Sequence, residues 1–226
     1  MAELIVALDF PSRDEALRLV DRIPGLRWVK VGSILSTAEG PGLIRELVGR
    51  GLAVFLDLKW HDIPSIVSGA VSAAGGLGVR MATVHTLGGG AMLRAAAAAA
   101  GAGLSLVGVT VLTSHDEVEY AELIGRPAIP LLDEAVRLGR SAVVSGLAGV
   151  VCSPWEVERL RSTLGPDAML VVPGIRRVGD AGGDQARTAT PAEAVRRGAT
   201  HLVVGRPIAQ AVDVRAAFEE FQSQLG

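Results

Sequence analysis

Asp57, Lys59 and Asp62 end the segment Val54-Phe55-Leu56-Asp57-Leu58-Lys59-Trp60-His61-Asp62-Ile63-Pro64, which otherwise reads as a buried strand. Side chains two apart on a strand share a face, so Asp57 and Lys59 point one way while Leu56 and Leu58 take the other. Asp62 follows in the turn, within reach of the same cluster. Taking a charge out of water is costly, so charges in such a run are either paired or used in chemistry. Opposite neighbours keep each other ionised, which makes Lys59 a fixed proton donor. A carboxylate beside a bound substrate carboxylate would raise the energy of the ground state. Asp-x-Lys also occurs as a plain barrel salt bridge, and the motif alone does not choose between the two readings.

A second constellation could hold an anion. Leu202-Val203-Val204-Gly205-Arg206-Pro207-Ile208 reads as strand, glycine turn and a helix with Pro207 in its first turn. Free backbone N–H groups there would face an incoming phosphate, and Arg206 adds a bidentate donor. The loop from Pro173-Gly174-Ile175-Arg176 to Gly182-Gly183-Asp184-Gln185 would lie beside it, since barrels often bind phosphate after their last two strands. A phosphorylated small substrate is the expectation. The plainer alternative is a tight turn carrying a solvated arginine.

Eight short, β-branched runs must position these groups: Leu4–Leu8, Trp28–Val31, Ala53–Leu58, Met81–His85, Leu104–Val111, Gly149–Cys152, Met169–Val172 and His201–Val204. Helical segments separate them, with Ser12, Ser153-Pro154 and Thr190-Pro191 as start signals. Nearly continuous apolar strands alternating with helices predict a parallel sheet covered on both faces, closed as a (β/α)8 TIM barrel in one domain spanning 1–226. An open doubly wound sheet is the alternative. In a barrel, the polar residues at the strand ends share one rim: Asp9, Lys30, Asp57, Lys59, Asp62, His85, Thr110, Thr113, Ser114, Arg176 and Arg206. The stretch from Ser114 to Gly139 is long for one loop and helix, and Pro127 and Pro130 point to an extra turn or short helix that could cover the site.

Composition narrows the function further. The chain has 226 residues, 49% of them hydrophobic, which suits a large apolar core and excludes a disordered chain. A net charge of -2, with both signs interspersed, gives no general attraction for nucleic acid or anionic membranes, so any anion site must be local. Cys152 is the single cysteine; it excludes an internal disulfide and fits a reducing, cytoplasmic setting. The first residues run straight into a strand pattern without a basic leader, and the alanine-rich run from Ala95 to Ala100 is too short to span a bilayer. His61, His85, His115 and His201 lack metal-ligand spacing, Trp60 reads as a packing residue, and Gly88-Gly89-Gly90 reads as a turn into a helix.

Four motifs occur in order at suitable spacing: Asp57-x-Lys59-x-x-Asp62-Ile63-Pro64, Pro173-Gly174-Ile175-Arg176, Asp184-Gln185-x-Arg187 with Thr190-Pro191, and Val203-Val204-Gly205-Arg206-Pro207-Ile208. Together they resemble the orotidine 5'-phosphate decarboxylase family over nearly the whole chain. The resemblance implies conversion of orotidine 5'-monophosphate to uridine 5'-monophosphate and carbon dioxide, with no metal or organic cofactor. It implies a charged network of Lys30, Asp57, Lys59 and Asp62, with Lys59 protonating the pyrimidine C6 carbanion and Asp57 near the departing carboxylate. It implies a homodimer in which Asp62 serves the neighbour's site. Asp9 and Lys30 would meet the ribose, Thr113 and Gln185 the pyrimidine, and Gln185, Arg176, Gly205 and Arg206 the phosphate. Ile63, Pro64 and Ile66 complete the substrate-binding set; at Ile66 the family usually offers a threonine that contacts the ribose across the dimer. Lys30-Val31-Gly32 is likewise followed by Ser33-Ile34-Leu35-Ser36 in place of the usual acidic and aromatic continuation.

Two competing readings remain. Magnesium-dependent sugar-phosphate decarboxylases of the same barrel group share Asp-x-Lys-x-x-Asp, but typically carry glutamate where Lys30 stands, and a lysine there would repel the metal. A barrel that binds a nucleotide without catalysis is the other.

Overall fold

The computed structural model describes residues 2–177 and 187–225. Eight strands pair in chain order and close on themselves: β1 (Glu3–Ala7), β2 (Trp28–Gly32), β3 (Ala53–Trp60), β4 (Met81–His85), β5 (Ser105–Val109), β6 (Gly149–Val151), β7 (Met169–Val172) and β8 (His201–Val204). Every pairing is parallel, and β1 meets both β2 and β8. The fold is a (β/α)8 barrel, and the open-sheet alternative is excluded.

The apolar runs are continuous because both faces of each strand are buried, in different company. Ile5, Ala7, Phe55, Met81, Val107, Val171 and Val203 turn inward and form a small cluster inside the barrel. Their neighbours one residue along, among them Val6, Val54, Leu56, Ala82, Val172 and Val204, pack outward against the helices in the main core. Gly149 is required on this inner wall, since a Cβ there would stand 1.9 Å from the Met169 carbonyl oxygen.

The helical layer comprises α1 (Arg13–Asp21), α2 (Ser33–Gly49, broken at Gly40-Pro41), α3 (Pro64–Gly76), α4 (Gly89–Ala99), α5 (Glu117–Ile124), α6 (Leu131–Val144), α7 (Val157–Leu164), α8 (Pro191–Arg196), α9 (Arg206–Ala209) and α10 (Val214–Ser223). Ser12 caps α1 by accepting the Glu15 N–H, and Thr190 and Glu193 cap α8 reciprocally, as their sequence signals predict. Ser153 does not cap α7. That helix starts later, and Ser153 is instead sealed beside Glu156 and Arg187.

Strand limits also differ at the ends. β5 is shorter than Leu104–Val111 because it pairs with the five residues of β4, Met81–His85, and β6 ends before Cys152. The long segment after β5 does contain an extra helix, α5, yet α5 contributes nothing to the cavity described below.

Candidate active site

At the carboxyl ends of the strands, the barrel opens into a cavity of about 250 Å³. Its floor is the top of the inner wall: Ala7, Phe55, Val109, Val151 and Val203. Above this floor stand Asp9, Lys30, Asp57 and Lys59 from β1 to β3, and Arg176, Gly205 and Arg206 from the loops after β7 and β8, with Thr113 also in the lining. Asp9, Lys30 and Asp57 come together because each lies two positions beyond an inward-facing residue, Ala7, Trp28 and Phe55, on three neighbouring strands.

The four charges form a chain of alternating sign. Lys59 Nζ lies 2.9 Å from Asp57 Oδ1, Asp57 Oδ2 lies 3.9 Å from Lys30 Nζ, and Lys30 Nζ donates to Asp9 Oδ1 at 2.7 Å. The Lys30 and Asp57 side chains are largely buried, at 12% and 15% exposure, whereas Lys59 keeps 39% of its side chain open to the cavity. Gly32 leaves room for the chain: a Cβ there would stand 3.0 Å from Lys30 Nζ and 3.1 Å from Asp9 Oδ1.

Lys59 is reached by an irregular backbone. β3 and β4 pair at Leu56 with Ala82 and again at Trp60 with Val84, so β3 takes four steps where β4 takes two. Within that bulge Lys59 has φ 52°, the one positive φ among the described non-glycine residues. Left-handed backbone costs an L residue about 1–2 kcal/mol, and such strain persists only where the surroundings hold it. Leu58 and Trp60 still pack against the outer core, as the strand pattern requires.

At the opposite end, Arg176 is buried and its Nη1 donates to the Ile175 carbonyl at 2.8 Å, while its own N–H bonds to Ala189. Gly205 precedes α9, a helix of only four residues with Pro207 in its first turn. Gln185 and Asp184 lie outside the described residues. Asp62, Ile63 and Pro64 do not enter this cavity; with His61 and Leu87 they line a separate, open cleft beside it. Ile63 and Ile66 are exposed, at 62% and 55%. Asp62 Oδ1 accepts the N–H of Ile63 at 2.6 Å.

Other residues singled out by sequence have structural roles. Thr110 is buried and donates to the Val151 carbonyl at 3.1 Å. His85 stacks on His61 with centroids 5.6 Å apart and accepts the Leu87 N–H through Nδ1. Burial, then the charges of His61 and Lys59, lowers its pKa to about 4, so it is neutral near pH 7. Cys152 borders the cavity, but burial, reinforced by Glu156, pushes its thiol well up, away from nucleophilic use. Among the described residues, no three His, Cys, Asp or Glu side chains are placed to share a metal ion, and the Asp9 and Asp57 carboxylates both face the Lys30 ammonium. Sequence reasoning missed the apolar floor and Thr83, whose hydroxyl bonds both Lys59 and Asp57.

Closed barrel, strand-end charge chain and cationic far wall define a class: a (β/α)8 barrel built for acid–base chemistry on a small anionic ligand. The chain belongs to the orotidine 5'-phosphate decarboxylase / HUMPS family, whose pattern matches residues 2–221. Orotidine 5'-phosphate decarboxylase of Halorhodospira halophila is 51% identical over 226 residues, covering 98% of this chain and 95% of that one. The enzyme of the same name from Anaeromyxobacter dehalogenans is 48% identical over 217 residues, covering 95% and 94%. Among solved structures, orotidine 5'-phosphate decarboxylase from Lactobacillus acidophilus superposes with a TM-score of 0.89 at 34% identity, with both chains covered in full. A Geobacillus kaustophilus protein of uncharacterised function superposes at 0.85 with 32% identity.

Proposed function

We propose that the chain decarboxylates orotidine 5'-monophosphate to uridine 5'-monophosphate in pyrimidine biosynthesis, with Lys59 as the proton donor. The observation that carries this is one cavity with the Asp57–Lys59 pair at one end and Arg176, Gly205 and Arg206 at the other, in a member of this family.

Phosphate binds at the arginine end, which places the pyrimidine over the apolar floor and its carboxylate beside Asp57. The C6–carboxylate bond breaks, carbon dioxide leaves, and the electron pair stays on C6. The Lys59 ammonium stabilises that pair and then passes a proton to C6, leaving a neutral amine that solvent reprotonates. Two like charges, the Asp57 and substrate carboxylates, are relieved of their repulsion as carbon dioxide departs. Asp9 and Lys30 take the ribose hydroxyls, and Thr113 and Gln185 the pyrimidine edge. Binding energy gathered at the remote phosphate supports the reaction at the ring.

The Lys30 ammonium already supplies positive charge between Asp9 and Asp57, where a divalent cation would otherwise have to sit. On this reading Lys30 takes the place of a metal, and the chemistry is carried by the side chains alone. Asp62 stands outside its own cavity and serves that of a second copy in a homodimer. Ile63 and Leu87, both exposed, line the same cleft as Asp62 and give that face an apolar character. The whole chain, 1–226, acts as one barrel domain in the cytoplasm. Among the described residues no helix is long and apolar enough to cross a membrane.

Ultraviolet assay of orotidine 5'-monophosphate with the purified chain, with and without a chelator, tests this reading. Loss of substrate with stoichiometric carbon dioxide release, unaffected by the chelator, is the expected result. Uridine 5'-monophosphate binding without turnover would replace the enzyme by a nucleotide-binding barrel, and turnover abolished by the chelator would replace the metal-free mechanism by a metal-dependent one.

A further inference from the structure

Thr83 lies on the inward face of β4, one layer above Met81, fully buried and with no part in lining the cavity. Its hydroxyl nevertheless joins the two charged residues of β3. Thr83 Oγ1 accepts the backbone N–H of Lys59 at 2.7 Å and donates to Asp57 Oδ1 at 3.1 Å. The same Asp57 oxygen receives Lys59 Nζ at 2.9 Å. A backbone N–H can only donate, so the hydroxyl's one proton is committed to Asp57. The result is a closed loop of bonds from the Lys59 amide, through Thr83 and Asp57, back to the Lys59 ammonium.

This loop stands where the sheet cannot hold the backbone itself. Between the Leu56–Ala82 and Trp60–Val84 pairs the β3–β4 ladder is interrupted, so the Lys59 amide has lost its regular strand acceptor. Thr83 replaces that acceptor with a side-chain oxygen, at the one described non-glycine residue with a positive φ. A valine would fill the same space and suit the same strand, yet leave the Lys59 N–H without its acceptor and Asp57 Oδ1 with the Lys59 ammonium alone.

We propose that Thr83 is a positioning residue for decarboxylation: its hydroxyl sets the left-handed turn at Lys59 and the direction of the Asp57 carboxylate together, and so aims the ammonium at substrate C6. The proposal rests on the reading of Lys59 and Asp57 as the catalytic pair. Thr83 does not line the cavity, so its loss is expected to act on turnover and leave ligand affinity intact.

Thr83→Val, Thr83→Ser and Lys59→Ala are compared with wild type for kcat on orotidine 5'-monophosphate and for Kd of uridine 5'-monophosphate. In Thr83→Val, kcat falls at least about tenfold while Kd stays within about threefold; Thr83→Ser, which keeps the hydroxyl, returns kcat to within about threefold of wild type. Wild-type kcat in Thr83→Val, an equal fall in Thr83→Ser, or a loss confined to Kd would overturn the proposal. Should the valine protein fail to fold, Thr83→Ser and Thr83→Ala, which lack the same methyl and differ in the hydroxyl, must still differ in kcat by about tenfold. Lys59→Ala separates the two claims: if it retains activity, the catalytic pair itself is wrong, whereas an inactive Lys59→Ala beside a fully active Thr83→Val refutes only the role of Thr83.

Discussion

Two ion pairs stand near the top of the barrel, and they are built to opposite ends. Glu156 and Arg187 are both buried and bonded on several sides: Glu156 Oε1 receives Arg187, Oε2 receives the Ser153 N–H at 2.9 Å, and Arg187 also reaches the Leu112 carbonyl at 3.3 Å. Burial raises the Glu156 pKa, opposed chiefly by the charge of Arg187, so the buried carboxylate depends on its cationic partner. Asp57 and Lys59 form the same kind of bond, but the ammonium opens on a cavity and is carried on strained backbone. A sealed pair ties loops together; a held pair that opens on a cavity can meet a ligand. Charge pairing alone therefore does not mark a reactive group.

That contrast can be broken experimentally, most severely at Lys59. Lys59→Ala should lower kcat/KM by at least about 10⁴-fold, since one group supplies both the proton and the charge stabilisation, with the melting temperature nearly unchanged. An alanine variant that melts far below wild type would make this pair structural as well. Glu156→Ala should do the reverse. Leaving Arg187 charged and unpaired costs about 3–5 kcal/mol, measured by urea denaturation. Unchanged stability there would remove the distinction.

Arg206→Ala sharpens the picture at the cavity's other end. It should weaken uridine 5'-monophosphate binding by about 1.5–3 kcal/mol, and uridine binding hardly at all, as calorimetry with both ligands would show. Equal losses for nucleotide and nucleoside would place Arg206 away from the phosphate.

His201 offers the smallest effect. At the opposite, amino-terminal end of β8 it packs edge-on to Trp28, and burial lowers its pKa from 6.5 to about 4. Between those values the unfolded chain binds a proton that the folded chain does not, so stability falls as pH drops from 6.5 to about 4 and then levels off for this group. His201→Gln should flatten that part of the stability–pH curve. An unaltered slope would assign the acid sensitivity to other groups.

Much of this was legible in the sequence because it depends on period and polarity. Eight apolar runs gave eight strands, and the polar residues at their ends met at one rim because parallel strands all finish on the same side. Local signals failed where long-range contacts decide. Ser153-Pro154 has the composition of a helix start, yet Glu156 and Arg187 claim Ser153 for a buried cluster. Thr83 is an ordinary strand former within Met81-Ala82-Thr83-Val84-His85, and no glycine or proline marks the bulge opposite it, so its role appears only once β3 and β4 are side by side. The separation of Asp62 from the cavity is similarly a matter of how the chain turns after Trp60.

The central claim is that the Lys59 ammonium exchanges a proton with pyrimidine C6. If it delivers a proton to C6 in decarboxylation, it must by microscopic reversibility also remove one from bound product. Proton NMR of uridine 5'-monophosphate incubated with the protein in D2O reads this directly. The account expects the C6 proton signal to fade with wild type and to persist with Lys59→Ala, whereas exchange at the wild-type rate in Lys59→Ala would contradict it.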